Sequence, residues 1–285
     1  MSFNPEPWFY SSWQGAVTIA QQQRLSRMRP AVRVENTTGE VHFFERLESD
    51  TVSEVSTRHA DTPNIEADHT IRSCRPRFFV WSRIIDDEDK VRLLMDPTSV
   101  YNENAGMSFE RKVDLILLQA ALGTAYTGKG GTTATSFPPA YQIANGSTGL
   151  TKAKLFTASE LLLAAENEGP FYMAISAKEN TDLLNIPEVA SGDFNNAKPL
   201  VEGKVQHYMG FNFIHSEQLA AASATVHSCV AWSKNSLGLG IWNDKEMNIA
   251  KDPTKNYNWR PHIKYFIGAT RLDEVGVVEV ATYHA

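Results

Sequence analysis

Apolar and polar positions alternate along this chain in blocks of different period. Near the start, Ala16, Val17, Ala20 and Leu25 recur at near-helical spacing, which predicts a short helix over 12–28 stopped by Pro30. Residues 40–47 then read as a strand. Residues 48–70 are polar, acidic and poor in large apolar side chains, so they cannot supply a core. Residues 71–85 turn apolar and β-prone again. Two strand-like runs around a polar excursion predict a long hairpin or extended loop standing off the body. A loop of that length is unusual in a compact domain unless it has a function.

Asp96-Pro97 is a helix-start signal, because Asp caps and Pro suits the first helical position. Helical character then runs to Gly123, with a break expected near Gly106. In its second half Phe109, Val113, Ile116, Leu117 and Ala120 share one face, and Leu115, Leu118 and Leu122 widen it. Residues 123–149 carry five glycines beyond the helix stop and the pair Pro138-Pro139, which predicts a loop. Thr157-Ala158-Ser159-Glu160 reads as a capping box opening a helix that Gly169-Pro170 ends. Phe171–Ser176 is a short buried strand, and Ser176-Ala177-Lys178-Glu179 is a second capping box, opening a helix through Leu184. Two strands flank Gly210 within 203–216, and further strand-like runs occupy 226–242 and 262–284. The fold class is therefore α+β, with antiparallel strands and a few helices, and no internal repeat is visible.

Composition narrows the function. At 285 residues the chain is long enough for one elaborated domain or two intimately joined ones. A hydrophobic share of 42% and a charged share of 21% are ordinary for a globular protein. The formal net charge of −6 argues against a dedicated nucleic-acid binder, although a container for DNA must not grip its contents tightly. Cys74 and Cys229 are expected to be reduced and buried. The opening residues MSFNPEPWFY read as neither signal peptide nor anchor, and no apolar stretch reaches the ~18 residues that suggest a span, so an intracellular protein without membrane attachment is expected.

Candidate chemistry is sparse. Gly123–Gly130 (GTAYTGKG) matches a phosphate-binding loop except at its last position, where Ser or Thr is needed, and it follows a helix rather than a strand. None of the eight histidines has partners at a recognised metal-ligand spacing. Asp86-Asp87-Glu88-Asp89 reads as a solvated turn, and Gly146-Ser147-Thr148-Gly149 lacks the glycine that a nucleophile elbow requires. No catalytic, cofactor-binding or metal-binding residue is assigned, and no cofactor is expected. The tryptophans and tyrosines are read as core and interface residues. Between Arg24 and Arg33 the chain holds four arginines and no acid, which suits either a solvated face or an arm facing phosphates or an acidic partner.

Taken in order, Phe9–Pro30, Asp87–Tyr101, Phe109–Gly128, Phe171–Leu184, Gly203–Glu217 and Gly268–His284 resemble the major capsid proteins of tailed bacteriophages, with the Hong Kong 97-type fold. No single motif carries the resemblance; the ordered set does. It implies an N-terminal arm over 1–40, an extended loop over 41–85 overlapping a neighbouring subunit, a peripheral domain with a spine helix over 86–170, an axial domain over 171–257, and return strands over 258–285. It implies no enzymatic activity. It implies self-assembly into pentamers and hexamers of an icosahedral head around double-stranded DNA, built in the host cytoplasm. Partners would be further copies of the chain, a portal, a scaffold or decoration protein, and packaged DNA by weak non-specific contact. Arg24, Arg27, Arg29, Arg33, Arg58, Arg72, Trp8 and Trp13 are the candidate inter-subunit or inner-face contacts. In some relatives a lysine of the extended loop forms a covalent bond to another subunit; residues 41–76 contain no lysine, which implies a non-covalent shell. An encapsulin-like compartment shell shares this fold, and a soluble hydrolase with an unrecognised site is the alternative from another class.

Overall fold

A computed structural model describes residues 22–48, 50–58, 61, 64–65, 68–86, 98–187, 203–223 and 225–284, with backbone alone at 98–100, 220–222 and 245. The chain runs β1 (Arg33–Asn36), β2 (His42–Leu47), β3 (His69–Cys74), β4 (Arg77–Ser82), α1 (Thr98–Leu122), β5 (Ala125–Thr127), β6 (Thr133–Thr135) and β7 (Gln142–Ile143). It continues α2 (Lys152–Ala164), β8 (Phe171–Ile175), α3 (Ala177–Leu184), β9 (His207–Tyr208), β10 (Phe211–His215), β11 (Ala220–Ser223), β12 (Val226–Ser233), β13 (Leu237–Asp252), β14 (Asn258–Arg271) and β15 (Val277–Tyr283).

Among the described residues the strands form three sheets. A seven-stranded sheet has the order β7-β15-β12-β8-β10-β9, with β11 also on β12; β8/β10 and β7/β15 are parallel and the other pairings antiparallel. A four-stranded sheet, β1-β13-β14-β4, is built on the long antiparallel β13/β14 hairpin. A third, β2-β3-β5-β6, carries the predicted extended hairpin: β2 and β3 pair antiparallel from His42↔Cys74 to Leu47↔His69, with the polar excursion at their far end.

Helix α1 is about 37 Å long at ~1.5 Å per residue. Its apolar face buries Phe109, Val113, Ile116, Leu117 and Leu118 against the seven-stranded sheet and the β1-β13-β14-β4 sheet. The core is completed by β-branched and aromatic side chains such as Val230, Tyr265, Ile267, Val278 and Trp232, whose indole Nε1 donates to Ala31 O at 2.9 Å. Phe44, Cys74 and Leu272 form a second, small core beneath the β2/β3 hairpin, with Trp242 packed on it. Both cysteines are free and buried.

Several local expectations are corrected. Residues 22–28 are not helical, because their donors are taken by side chains of α1 rather than by their own carbonyls; residues 12–21 lie outside those described. Helix α1 passes through Gly106 unbroken: buried Ala105 and Met107 hold that turn, and one interior glycine costs only about 1 kcal/mol. The Asp96-Pro97 start and the acids Asp87, Glu88 and Asp89 lie outside the described residues. The 71–85 run is two strands divided at Arg75-Pro76. The predicted loop 123–149 contains β5, β6 and β7. Helix α2 begins at Lys152, five residues before the predicted capping box. Thr151 is its N-cap, accepting from Lys154 N, and Thr157 instead donates back to Ala153 O at 3.1 Å, as hydroxyls inside helices do. That helix ends at Ala164, before Gly169-Pro170. The second capping box forms as expected: Ser176 and Glu179 satisfy each other's backbone donors at the start of α3.

Candidate assembly site

The seat of the N-terminal segment is built on one face of α1. Asp114 is fully buried and gathers that segment. Its carboxylate accepts from Ser26 Oγ at 2.5 Å, Gln23 Nε2 at 2.5 Å, Arg27 N at 3.1 Å and Met28 N at 3.2 Å. One turn earlier Glu110 accepts from Ser26 N at 3.2 Å, and Gln22 donates to Asn104 at 2.7 Å. Beyond this polar seat Met28, Ala31 and Val32 enter the main core. Arg27 reaches across to His215 O at 2.6 Å. Carboxylates that replace backbone partners in this way fix where a chain segment lies, since each buried N–H needs an acceptor.

A charged cluster occupies the other end of α1. Arg271 of β14 is fully buried and donates from Nη1 to Ala121 O at 2.9 Å and Gly123 O at 2.7 Å, capping the helix's last carbonyls. Its Nη2 reaches Thr135 O at 3.3 Å, and its guanidinium lies over the Phe137 ring. Burial draws this guanidinium below its ordinary pKa, against the pull of neighbouring Glu274. Glu274 pairs through Oε2 with Arg72 Nη2 of β3 at 2.6 Å. Arg72 also donates to Leu272 O and Thr135 Oγ1, both at 3.3 Å. Arg46 of β2 pairs with Asp273 at 2.8 Å. The β2/β3 hairpin is thereby tied to the β14–β15 turn by one salt bridge from each strand.

A third polar group sits inside the seven-stranded body. Glu179 accepts from Ser176, from Thr282 Oγ1 at 2.6 Å and bonds His284 Nε2 at 2.5 Å. Burial alone would raise its carboxyl, but these hydrogen bonds outweigh it and hold the pKa at about 2. The His284 ring stacks on His227 with centroids 4.1 Å apart. Nearby, Lys154 Nζ donates to the carbonyls of Asn145, Thr148, Gly149 and Ala281 at 2.8–3.0 Å, and burial lowers its pKa. These arrangements orient backbone; none places a nucleophile beside a base and an open substrate space. Among the described residues no group of three or more His, Cys, Asp or Glu side chains is disposed to hold a metal ion, and no helix is long and apolar enough to cross a membrane.

The predicted contact residues scatter over these features. Arg27 is bonded to His215 O, and Arg29 lies 3.7 Å from Asp244. Arg33 pairs with Glu35 at 2.5 Å and lies over the Phe44 ring. Arg72 lies within the cluster at the helix end. Arg24 and Arg58 are exposed. Trp8 and Trp13 lie outside the described residues. Sequence reasoning missed Asp114, Arg271, Glu274 and Lys154 as organising residues, and it gave Glu179 only its capping role, not its bonds to Thr282 and His284. For Asp114 a signal was present: Glu110 and Asp114 fall in line with Leu117, Leu118 and Ala121 on the helix, so two acids share its buried stripe.

The model of the phage capsid protein family matches residues 6–283. The chain belongs to that family. Solved structures agree in fold, which is of the Hong Kong 97 type. The capsid of cyanophage P-SCSP1u superimposes with a TM-score of 0.68 at 18% identity, covering 97% of this chain and 94% of that one. A chain from Mycobacterium phage Che8 gives 0.71 at 13% identity, with 98% of each covered. The capsid of cyanophage Pam1 gives 0.70 at 13% identity, covering 100% and 99%. None of the curated proteins matches the sequence. Membership of this family makes the chain a structural capsid protein rather than an enzyme.

Proposed function

We propose that the chain is the major capsid subunit of a tailed bacteriophage, assembling as pentamers and hexamers into the icosahedral head around double-stranded DNA. The family match across residues 6–283 is the observation that carries this reading. The architecture supports a regional division. Residues 1–40 act as the N-terminal arm and 41–85 as the extended loop over a neighbour. Residues 86–170 form the peripheral domain with α1 as spine, 171–257 the axial domain, and 258–285 the returning strands. Cohesion comes from many non-covalent overlaps, since 41–76 holds no lysine to cross-link.

Arg24 and Arg58, which are exposed, lead the proposed inter-subunit or inner-face contacts, with Arg27, Arg29, Arg33, Arg72, Trp8 and Trp13 completing the set. A portal and a scaffold or decoration protein are the other protein partners, assembly takes place in the host cytoplasm, and packaged DNA is touched weakly, in keeping with the net charge of −6. Electron microscopy of the chain expressed with its helper proteins is the test. Closed particles tens of nanometres across are expected. A solution of stable monomers under every assembly condition overturns the reading, and an enzyme cargo in purified particles, seen by mass spectrometry, reassigns the shell to a cellular compartment.

A further inference from the structure

The β2/β3 hairpin does not share the main core. It rests on its own small one, Phe44, Cys74 and Leu272, with Trp242 alongside. Its supports are close and smooth. Phe44 lies where Gly238 leaves room, so that a Cβ there would stand 2.9 Å from the ring. The Arg75–Pro76 turn lies so near Gly268 that any Cβ would overlap Arg75 O and Cys74 Sγ. One side of the hairpin is open. A cleft of about 630 Å³ separates Phe44, Glu45, Arg46 and Arg72 from the body at Glu166–Glu168 and Ser233–Ser236. The hairpin is thus held by a small core of its own, by the β3/β5 ladder at Arg72↔Thr127 and Ser73↔Tyr126, and by its salt bridges, with a cleft on its other side.

The salt bridges at its base do more than anchor it. Arg72 belongs to the hairpin and touches Glu274; Glu274 faces Arg271; Arg271 caps α1. The middle link is incomplete. Arg271 Nε and Glu274 Oε1 are both buried and face each other at 3.7 Å, an ion pair longer than a direct hydrogen bond. A true N–H···O bond would need about 2.9 Å. A shift of under 1 Å in Glu274, which Arg72 holds by its other oxygen, closes this gap. A buried ion pair at this distance holds less firmly than a direct charge-assisted hydrogen bond, so its strength depends on where Arg72 holds Glu274.

We infer that Arg72, Glu274 and Arg271 form a relay through which the setting of the β2/β3 hairpin is coupled to the capping of the C-terminal turn of α1. When the hairpin moves Arg72, Glu274 follows and either engages Arg271 or draws it from the helix carbonyls. Arg72 is then a positioning residue for a helix end it does not bond. The inference goes beyond the shell reading and holds for the isolated chain.

Hydrogen–deuterium exchange with mass spectrometry on the full chain tests it. In Arg72→Gln, amides of the hairpin around Phe43–Arg46 and also those of Leu118–Leu122 should exchange roughly tenfold faster, the effect of losing one charge-assisted link. Arg46→Ala, which breaks only the partly exposed pair with Asp273, should loosen the hairpin and leave Leu118–Leu122 unchanged. Glu274→Gln keeps the shape of the middle link and should reproduce the two-site effect of Arg72→Gln. If Arg72→Gln loosens the hairpin alone, or if Arg46→Ala loosens the helix end equally, the relay is refuted. If Arg72→Gln fails to fold, Arg72→Lys, which retains charge but not the fork, decides by the same two sites.

Discussion

Replacing Asp114 with alanine removes a fully buried carboxylate that receives four donors from residues 23–28. The Met28 N–H suffers most, because Met28 is 1% exposed and no water can replace the lost acceptor. A stranded buried donor costs about 1–3 kcal/mol, and each lost bond to a charged acceptor about 1.5–3 kcal/mol. Part of this is offset, because the variant no longer buries a charge. The net loss should be about 3 kcal/mol, which for a chain of this size lowers the melting temperature by roughly 6 °C.

The loss should also be local. Met28, Ala31 and Val32 keep their apolar seats, while the polar part of the segment is released. Trypsin reports this directly. Cleavage after Arg27 should accelerate in Asp114→Ala, whereas the Arg29-Pro30 bond stays protected by its proline. Asp114→Asn tests the role of charge: its amide retains one acceptor but points two donors at other donors, so it should behave more like alanine than like the wild type. An unchanged melting temperature together with unchanged cleavage after Arg27 would refute the argument, leaving apolar burial as the sole tether of the segment.

The other predictions concern the buried polar groups of the body and the thiols. Glu179 has a folded pKa of about 2 against an ordinary 4.5, so its contribution is present above pH 4.5 and disappears as pH falls toward 2. Denaturant titration should show Glu179→Gln about 3 kcal/mol less stable than wild type near neutrality. The two should converge in acid, and a gap independent of pH would disprove the assignment. Lys154→Met leaves carbonyls at 145, 148, 149 and 281 without their shared donor and should cost about 2–4 kcal/mol in thermal unfolding; a stabilised variant would contradict this. Burial pushes the Cys74 thiol up to about 12 and that of Cys229 well above its usual value. Neither should react with a disulfide reagent at mildly alkaline pH until the chain is denatured, and fast labelling of the native protein would count against the burial of both.

The regular apolar elements were legible because their periods are local. The run from Phe109 to Leu122 could only bury one face as a helix, and the 40–47 and 71–85 runs around an acidic excursion predicted a hairpin, of which 71–74 forms the returning strand. The Ser176–Glu179 box was legible because donor and acceptor lie three residues apart. The Thr157–Glu160 box misled for a related reason: the same four residues are satisfied inside a helix, and Thr151, with no acidic partner three residues on, is the true cap. The outer half of β13 was illegible because Glu246–Lys251 are exposed, so no alternation of burial marks them as strand.

The organising side chains stayed hidden because their partners are distant. Ser26 and Asp114 are 88 residues apart, Glu179 and His284 105, Lys154 and Ala281 127, Gly123 and Arg271 148, and Arg72 and Glu274 202. Each joins an element to one from another part of the chain, and each spends a buried charge or carbonyl to do so. Apolar packing tolerates volume-conserving exchange, so relatives at 13–18% identity can keep one fold while repacking its core. A buried charge tolerates far less, because losing its partner strands it in a dry interior. The core therefore fixes that the elements collapse together, while the charged contacts fix the angle at which arm, hairpin and long helix leave the body. For a subunit that must match its neighbours many times over, that angle matters most, since a small error at each contact accumulates around a closed shell.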